Sequence, residues 1–124
     1  MEKHFYKDLA QSVFNAMNDN NLRSMESGIA ENLIFDFPGA ARVEGAKRVI
    51  IFLTALLRKY SFLIFDVKDI ILEGDKACAI WSNKGELKDG KAYANQGITL
   101  FHFAENKIQF MSDYFKDTSF TQNK

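Results

Sequence analysis

Near the C-terminus, residues 97–115 have the sequence GITLFHFAENKIQFMSDYF. β-branched and aromatic residues fill both halves of this stretch, and the polar pair Glu105-Asn106 separates them, which predicts two strands joined by a tight turn. Asp113 departs from the pattern, because burying an unpaired carboxylate in an apolar strand is costly. It therefore either faces water or lies in a pocket that uses it.

The composition excludes several classes of protein. With 124 residues, 47% of them hydrophobic and twelve of them Phe, the chain is expected to form a single domain over residues 1–124. Sixteen basic and sixteen acidic residues cancel, and the longest basic runs are pairs such as Lys47-Arg48, so no nucleic-acid binding is expected. No stretch approaches the about 20 apolar residues of a membrane span, so no membrane association is expected and a cytoplasmic location is predicted.

Neither a metal nor a cofactor is expected. The two His residues are scattered, and the single Cys78 lies in an apolar run, so the clustered ligands of a zinc or iron site are missing. Glycines of the C-terminal half stand in predicted strands and turns rather than in a phosphate-binding loop.

Hydrophobic periodicity predicts helices in the first half of the chain. Apolar residues recur with helical spacing from Phe5 to Met17 and from Val49 to Tyr60, which is typical of helices packed on a sheet. A short helix ending at Gly28 and a strand over 32–37 separate them, and the strand stops at Pro38-Gly39.

Alternation predicts strands in the second half. One covers 62–72, with a bulge near Lys68-Asp69, where the alternation slips. Two more cover 77–87 and 92–103, joined by the hairpin signal Asp89-Gly90. With the C-terminal hairpin, this order is an α+β pattern in which a long helix covers a curved sheet.

The order and lengths of these elements resemble the nuclear transport factor 2-like superfamily, and within it the SnoaL-like group, over essentially the whole chain. Residues 14–22, FNAMNDNNL, are similar to the end of the first helix in these proteins, and Asn106-Lys107-Ile108 followed by residues 113–117, DYFKD, is similar to their GKI…DYFD ending. The resemblance implies a cone-shaped α+β roll of cystatin-like fold, in which N-terminal helices and one long helix cover a curved antiparallel sheet. It also implies a pocket between sheet and helices and often a homodimer through the outer sheet face.

Ketosteroid isomerases of this superfamily carry an Asp base before the proline of the first strand's loop, a Tyr on the first helix and a protonated Asp on the fourth strand. Phe37, Val13 and Thr99 stand at these positions here, so this activity is not expected. Asp36 lies one residue away, but a shift of one along a strand turns a side chain to the opposite face.

Limonene-type epoxide hydrolases carry an Arg and an Asp two residues apart on that fourth strand, and a second Asp on the last strand, to activate a water. Asp113 matches the last of these, whereas Gly97 and Thr99 stand at the other two positions. Water activation therefore lacks its base.

SnoaL-type polyketide cyclases place an acid on the last strand, where Asp113 stands, and move a proton at an activated carbon. One carboxyl whose pKa is raised by a desolvating pocket suffices for that chemistry. The resemblance makes Asp113 the candidate catalytic residue of a cyclase or isomerase type of reaction. The alternative is that Asp113 pairs with a neighbouring Lys or binds a backbone amide at the strand end.

The face on which Asp113 lies depends on the turn at Glu105-Asn106, because two-residue and three-residue loops give opposite pairings across the hairpin. The sequence leaves this open. The resemblance implies that Asp113 shares a ligand pocket with residues of the sheet and of the strand loop, which are Phe37, Asn95, Thr99, Phe101, Met111 and Phe115. Candidates for the helical wall are Tyr6, Phe14, Met17, Phe52 and Leu56. Trp81 either lines this pocket or covers the dimer face opposite Ile98.

Two functional interpretations remain. In the first, the pocket binds a hydrophobic small molecule, carbonyl-bearing or polycyclic, and Asp113 acts on it. In the second, the chain is a non-catalytic dimeric module whose cavity is filled by its own Phe and Met side chains. The side chains predicted on the outer sheet face form an apolar surface that favours a homodimer, namely Ile98, Leu100, Phe110 and Tyr114.

Overall fold

The computed structural model describes residues 2–119, with side chains from His4 onward. Within that range the chain forms two α-helices, a 3-10 helix and six strands. In chain order they are α1 (Glu2–Asn18), the 3-10 helix (Leu22–Gly28), β1 (Ile29–Asp36), β2 (Val43–Glu44), α2 (Ala46–Leu57), β3 (Tyr60–Glu73), β4 (Lys76–Leu87), β5 (Ala92–Ala104) and β6 (Lys107–Phe115).

All six strands belong to one sheet with the order β2-β1-β6-β5-β4-β3. The strands from β3 to β6 pair antiparallel, as the sequence predicts, but β1 runs parallel to β6. The expectation of a wholly antiparallel sheet is therefore wrong at this pair. The long connection from β1 through α2 and the hairpins brings the last strand back beside the first.

Helix α1 covers the sheet with its apolar side, and its last residue anchors it there. Val13 and Phe14 are almost completely buried. The Asn18 amide donates to the Phe65 carbonyl oxygen at 3.0 Å and accepts from the Phe65 N–H at 2.8 Å. Because β3 is an edge strand, these two bonds satisfy part of its free edge and fix the helix over one face of the sheet.

Helix α2 is one turn shorter than the periodicity predicts. It ends at Leu57, and Tyr60 is the first residue of β3, where it pairs with Leu87. The Tyr60 ring also packs edge-on against Tyr93, with ring centroids 5.1 Å apart. Strand pairing and aromatic packing therefore outweigh the helical spacing at this residue. No pattern in the sequence predicted the short strand β2.

Besides irregularities near Ser61 and between β1 and β6, the sheet has two bulges in its antiparallel part. The first lies at Lys68, between the pairs Val67 with Trp81 and Asp69 with Ile80, which confirms the predicted slip. The second lies at Gln109, because Phe103 pairs with Ile108 and the next pair joins His102 to Phe110. An extra residue in one strand reverses the facing of the residues beyond it.

The Gln109 bulge decides the orientation of Asp113. The turn contains two residues, Glu105 and Asn106, both with positive φ (53° and 65°), as a tight hairpin turn requires. After the bulge, Asp113 lies opposite Thr99 on the helix-covered face. Without Gln109, the same turn would place Asp113 on the outer face.

Between residues 2 and 119, no helix is long and apolar enough to cross a membrane.

Candidate functional site

A cavity lies between the two helices and the covered face of the sheet. Its volume is about 40 Å³, which exceeds the about 10–15 Å³ that a single water needs. It is far below the about 300–1,000 Å³ of pockets that bind drug-sized ligands. The cavity therefore has room for a few waters or a small ligand, and a polycyclic compound would require the surrounding rings to move.

The helical wall contains three of the predicted residues. Phe14 and Met17 reach the cavity from α1, and Leu56 reaches it from α2. Phe37, which follows β1, lines it as well. All four are apolar, so this side of the cavity offers packing and no hydrogen bonds.

The sheet wall contains five more of the predicted residues, and two of these are polar. Trp81, Thr99, Met111, Asp113 and Phe115 line the cavity. Of the two placements left open for Trp81, the structure shows the cavity. Its partner across the strands is Gly97 rather than Ile98.

Three predicted ligand-binding residues do not line the cavity. Phe52 packs behind Phe37, with ring centroids 5.4 Å apart, and Phe101 is fully buried in the core, where its ring packs with those of Phe14 and Phe103. The Asn95 amide is turned to the strand end, where it donates to the Asp117 carbonyl oxygen at 2.9 Å.

Tyr6, a further candidate for the helical wall, also lies outside the cavity. It stacks on Phe103, with ring centroids 4.3 Å apart. Residues on the covered face of the sheet and on the sheet-facing side of the helices do not all reach the cavity. Their position along the strand or helix decides whether they line the cavity or pack in the core behind it.

Asp113 is held by a short relay of hydrogen bonds. The Trp81 indole N–H donates to the Thr99 hydroxyl at 2.9 Å, and that hydroxyl donates to Asp113 Oδ1 at 2.7 Å. Since an indole N–H can only donate, the Thr99 oxygen must accept from it, and the Thr99 proton points at Asp113. Oδ1 is therefore an acceptor, and the acid proton of Asp113 belongs on Oδ2, which is left for a ligand.

Burial raises the pKa of Asp113 from its ordinary 3.8 to about 7, and the hydrogen bond from Thr99 lowers it in part. No lysine, arginine or histidine among the described residues forms an ion pair with it. The residue is partly buried, and its side chain lines the cavity. Asp113 therefore takes up and releases its proton near neutral pH rather than near pH 4.

The positions that carry acids and bases in ketosteroid isomerases all line this cavity. They hold Val13, Phe37 and Thr99 here, which supply no general base. Asp36, one residue before Phe37, is turned away and binds Arg42 through both carboxylate oxygens, at 2.9 and 2.8 Å. The predicted opposite facing of Asp36 is confirmed.

Trp81 occupies the space that an arginine at position 97 would need. A Cβ at Gly97 would lie 2.9 Å from two atoms of the Trp81 ring and against the backbone oxygen of Tyr114. The arginine of the epoxide hydrolase pattern therefore does not fit beside this tryptophan.

Three polar residues at the other end of the cavity were not predicted as site residues. Asn83, Tyr60 and Tyr93 line it together with apolar neighbours. Burial, and then the neighbouring Tyr93, raises the pKa of Tyr60. Asn83 could have been found in the sequence, because it stands two residues after Trp81 and therefore on the same face of β4.

A surface groove adjoins this end. Leu57 and Tyr60 line both the cavity and the groove, so they form the boundary between them. The charged residues of the groove are Arg23, Arg58 and Lys88. Tyr60 is therefore at the mouth by which the cavity meets this groove, and Asp113 is at the opposite end.

Residues 2–119 contain no group of three His, Cys, Asp or Glu side chains arranged to hold a metal ion. His102 packs against Phe110 on the outer face, with ring centroids 4.8 Å apart. It is therefore separated from the cavity by the sheet.

The sequence model of the SnoaL-like domain matches residues 10–111 of this chain. No curated protein matches it in sequence. Among solved structures, a protein from Jannaschia sp. CCS1 assigned as a SnoaL-like polyketide cyclase has a TM-score of 0.85 at 17% identity, covering 91% of this chain and 86% of its own. An NTF2-like protein of unknown function from Burkholderia pseudomallei K96243 has a TM-score of 0.86 at 12% identity, covering 95% of both chains.

TerC, which was crystallised with polyporic acid, has a TM-score of 0.84 at 13% identity, covering 95% of this chain and 96% of its own. These likenesses confirm the predicted cone-shaped α+β roll. Because the identities are low, they concern the fold alone.

Proposed function

The chain belongs to the SnoaL-like domain family, and from that membership we propose that its cavity binds a small hydrophobic carbonyl compound on which Asp113 transfers a proton. The observation that carries the proposal is the environment of Asp113. A carboxyl with a pKa of about 7, without a cation and facing a largely apolar cavity, can both accept and return a proton near neutral pH.

The reaction begins with the carboxylate form of Asp113. It takes a proton from the carbon next to the ligand's carbonyl group, so that the C–H electron pair forms an enolate and Asp113 becomes a carboxylic acid. Where the ligand has a C=C bond conjugated with the enolate, returning the proton to the far carbon of this dienolate moves the double bond and isomerises the compound. If the enolate carbon instead attacks a second carbonyl group, a C–C bond closes a ring and the proton passes to the new alkoxide oxygen. Neither route needs an oxidant or a reductant.

The relay from Trp81 and Thr99 positions the carboxyl for this role. It occupies Oδ1 and leaves Oδ2 to exchange the proton with the ligand. The volume of about 40 Å³ favours a small ligand, and even a single aromatic ring would require the surrounding side chains to move. The rings of Phe37, Trp81 and Phe115, which pack edge-on at about 5 Å, would enclose it and exclude water.

Proton exchange in D₂O tests this function without knowledge of the natural substrate. The probe is acetophenone, whose methyl protons are next to a carbonyl group, and the exchange is followed by proton NMR. The wild-type protein is expected to accelerate deuterium uptake, with a pH profile that has an apparent pKa near that of Asp113. Asp113→Asn should abolish the acceleration, whereas Asp36→Asn, a change in a surface carboxylate, should retain it. Equal exchange by wild type and Asp113→Asn, or no acceleration over buffer, would contradict the proposal.

A non-catalytic dimeric module is the second candidate function. It is favoured by the small cavity and by the outer sheet face, where Ile71 and Tyr114 are 55% and 54% exposed. Ile98 and Ile80 lie beside Tyr114 in the strand register, so the apolar surface is continuous across three strands. Sedimentation should then give a homodimer that Tyr114→Lys dissociates, while Asp113→Asn changes no exchange rate. A monomeric wild-type protein would exclude this dimer.

A further inference from the structure

The Oδ1 atom of the Asn83 side chain is buried without a hydrogen-bond partner. It lines the cavity and is 6% exposed, and its Oδ1 has no partner in the structure, alone among the buried side-chain nitrogen and oxygen atoms of the described residues. A buried amide oxygen normally has a partner, because losing water without replacement costs free energy. A polar atom of this kind on a cavity wall is therefore available to a ligand.

The neighbouring Asn95 shows that the fold can satisfy an amide at this level of the sheet. Asn95 pairs with Asn83 across β4 and β5. Its Oδ1 accepts from the backbone N–H groups of Gln96 and Asp117, and its Nδ2 donates to the Asp117 carbonyl oxygen. The Asn95 amide thus has a structural role, whereas Asn83 Oδ1 lies at the cavity without a hydrogen-bond partner.

The strand register places Asn83 at a distance from Asp113. Along β4 the inward residues opposite β5 are Ala79 beside Thr99, then Trp81, then Asn83. Thr99 in turn pairs with Asp113. Four residues along a strand span about 13 Å, and two strand spacings add about 10 Å across the sheet. Their Cα atoms are therefore roughly 16 Å apart. The two side chains and two hydrogen bonds of about 3 Å each take up about half of this distance, which leaves room between the polar groups for one ring with a substituent at each end.

We propose that Asn83 binds a hydroxyl group at the end of the ligand remote from its carbonyl, so that the compound handled by Asp113 is a hydroxylated aromatic ketone. This inference rests on the proposed function and adds Asn83 to Asp113 as a second polar group that binds the ligand. A hydroxyl donates to Asn83 Oδ1, which satisfies the orphaned atom. Since Tyr60 stands at the mouth, beyond Asn83, the ketone end enters first and the hydroxyl end follows.

A matched pair of ketones tests the role of Asn83. 4-Hydroxyacetophenone and 4-methylacetophenone have nearly the same shape and differ in the hydrogen-bonding group. Calorimetric titration at pH 6 is expected to show about tenfold tighter binding of the hydroxyl compound by wild-type protein, a difference of about 1.4 kcal/mol. In Asn83→Leu, which keeps the side-chain shape, the preference should vanish while 4-methylacetophenone still binds.

A stability control separates ligand binding from a structural role. Asn83→Leu removes an amide oxygen that has no hydrogen-bond partner, so its thermal unfolding midpoint should equal or exceed that of wild type. Asn95→Leu, the matched control, removes the bonds to Gln96 and Asp117 and should lower it. A loss of stability in Asn83→Leu as large as that in Asn95→Leu would show a structural role and overturn the inference.

The outcomes also distinguish this inference from the function on which it rests. If both ketones bind equally and exchange depends on Asp113, the proposed function stands and the role of Asn83 is wrong. A preference for the hydroxyl compound that persists in Asn83→Leu likewise overturns the inference. If neither ketone binds or exchanges protons, both proposals fail.

Discussion

Asp36 and Asp113 lie on neighbouring strands, and their surroundings are opposite. Asp36 pairs in register with Ser112, the residue before Asp113, so the two carboxylates are one position apart and lie on different faces of the sheet. The Arg42 guanidinium, through its hydrogen bonds and its charge, lowers the pKa of Asp36. Burial raises the pKa of Asp113 to about 7.

The comparison shows that the face of the sheet, rather than the local sequence, decides what a carboxylate can do. On the outer face a partly exposed arginine stabilises the charge, so the group stays ionised and serves only as a partner in a surface ion pair. On the covered face the charge has one hydroxyl for a partner, so the proton becomes available for transfer. A single bulge at Gln109 places Asp113 in the second environment.

Replacing Asp113 should give the largest effect on stability. Asn keeps the shape and can accept the bond from Thr99, but it carries no charge. Each pKa unit corresponds to about 1.4 kcal/mol, so Asp113→Asn should raise the free energy of unfolding at pH 9 by about 4 kcal/mol. Urea unfolding monitored by Trp81 fluorescence measures this.

The sign of the pH dependence follows from the raised pKa. Folded Asp113 holds its proton up to about pH 7, whereas the unfolded chain releases it near pH 4. Wild-type stability from this group is therefore highest below pH 4, falls between pH 4 and 7, and is constant above. Asp113→Asn should lack this decrease and should match wild type below pH 4. Asp36→Asn serves as the control, because its carboxylate is paired at the surface and its loss should not raise stability at pH 9.

Removing the Thr99 hydroxyl should give a smaller effect in two measurements. Thr99→Val has nearly the same shape, but it leaves the buried Trp81 N–H without an acceptor, which should lower the free energy of unfolding at pH 5 by about 1–3 kcal/mol. Because the bond from Thr99 lowers the pKa of Asp113, that pKa should rise above the wild-type value.

Thr54→Val is the matched control for this substitution. Thr54 donates to the Ile50 carbonyl oxygen within α2 and has no contact with the cavity polar groups. It should leave the pKa of Asp113 unchanged. A pKa in Thr99→Val that equals or falls below the wild-type value would show that the relay does not act on Asp113.

Arg42→Ala should give the smallest effect, since it breaks a surface ion pair. The pKa of Asp36 should return toward its ordinary value, while that of Asp113 stays the same because the sheet separates the two. Its influence on stability should be slight above pH 4 and should be lost as the pH falls through the lowered pKa of Asp36, where the folded carboxylate takes up a proton. Carboxyl NMR shifts report both pKa values, and a change at Asp113 would break the comparison.

The fold could be predicted from the sequence where local patterns agree with the tertiary structure. The helical stripe of α1, the slip at Lys68 and the turn at Glu105-Asn106 all appear where expected, because each is set by residues close in the chain. Tyr60 was assigned to the wrong element, since its pairing with Leu87 joins residues distant in sequence. The parallel pairing of β1 with β6 is a similar case.

The site was less predictable than the fold. The pattern around Gln109 is apolar on both sides, so the alternation does not reveal the bulge that turns Asp113 inward. Phe52 and Phe101 share faces with cavity residues, and only their packing against other rings excludes them. Asn83 and Asn95 are the same residue type and are paired across β4 and β5. Only the hydrogen bonds of Asn95 to Asp117 show that it has a structural role and does not line the cavity.

The most direct test of the central claim is a carbon-13 NMR titration of the side-chain carboxyls of Asp36 and Asp113 in one sample of the wild-type protein. We expect Asp113 to titrate at about pH 7 and Asp36 below its ordinary 3.8. Two titrations at the ordinary value, or one for Asp113 below that of Asp36, would contradict the assignment of Asp113 as the group that transfers a proton.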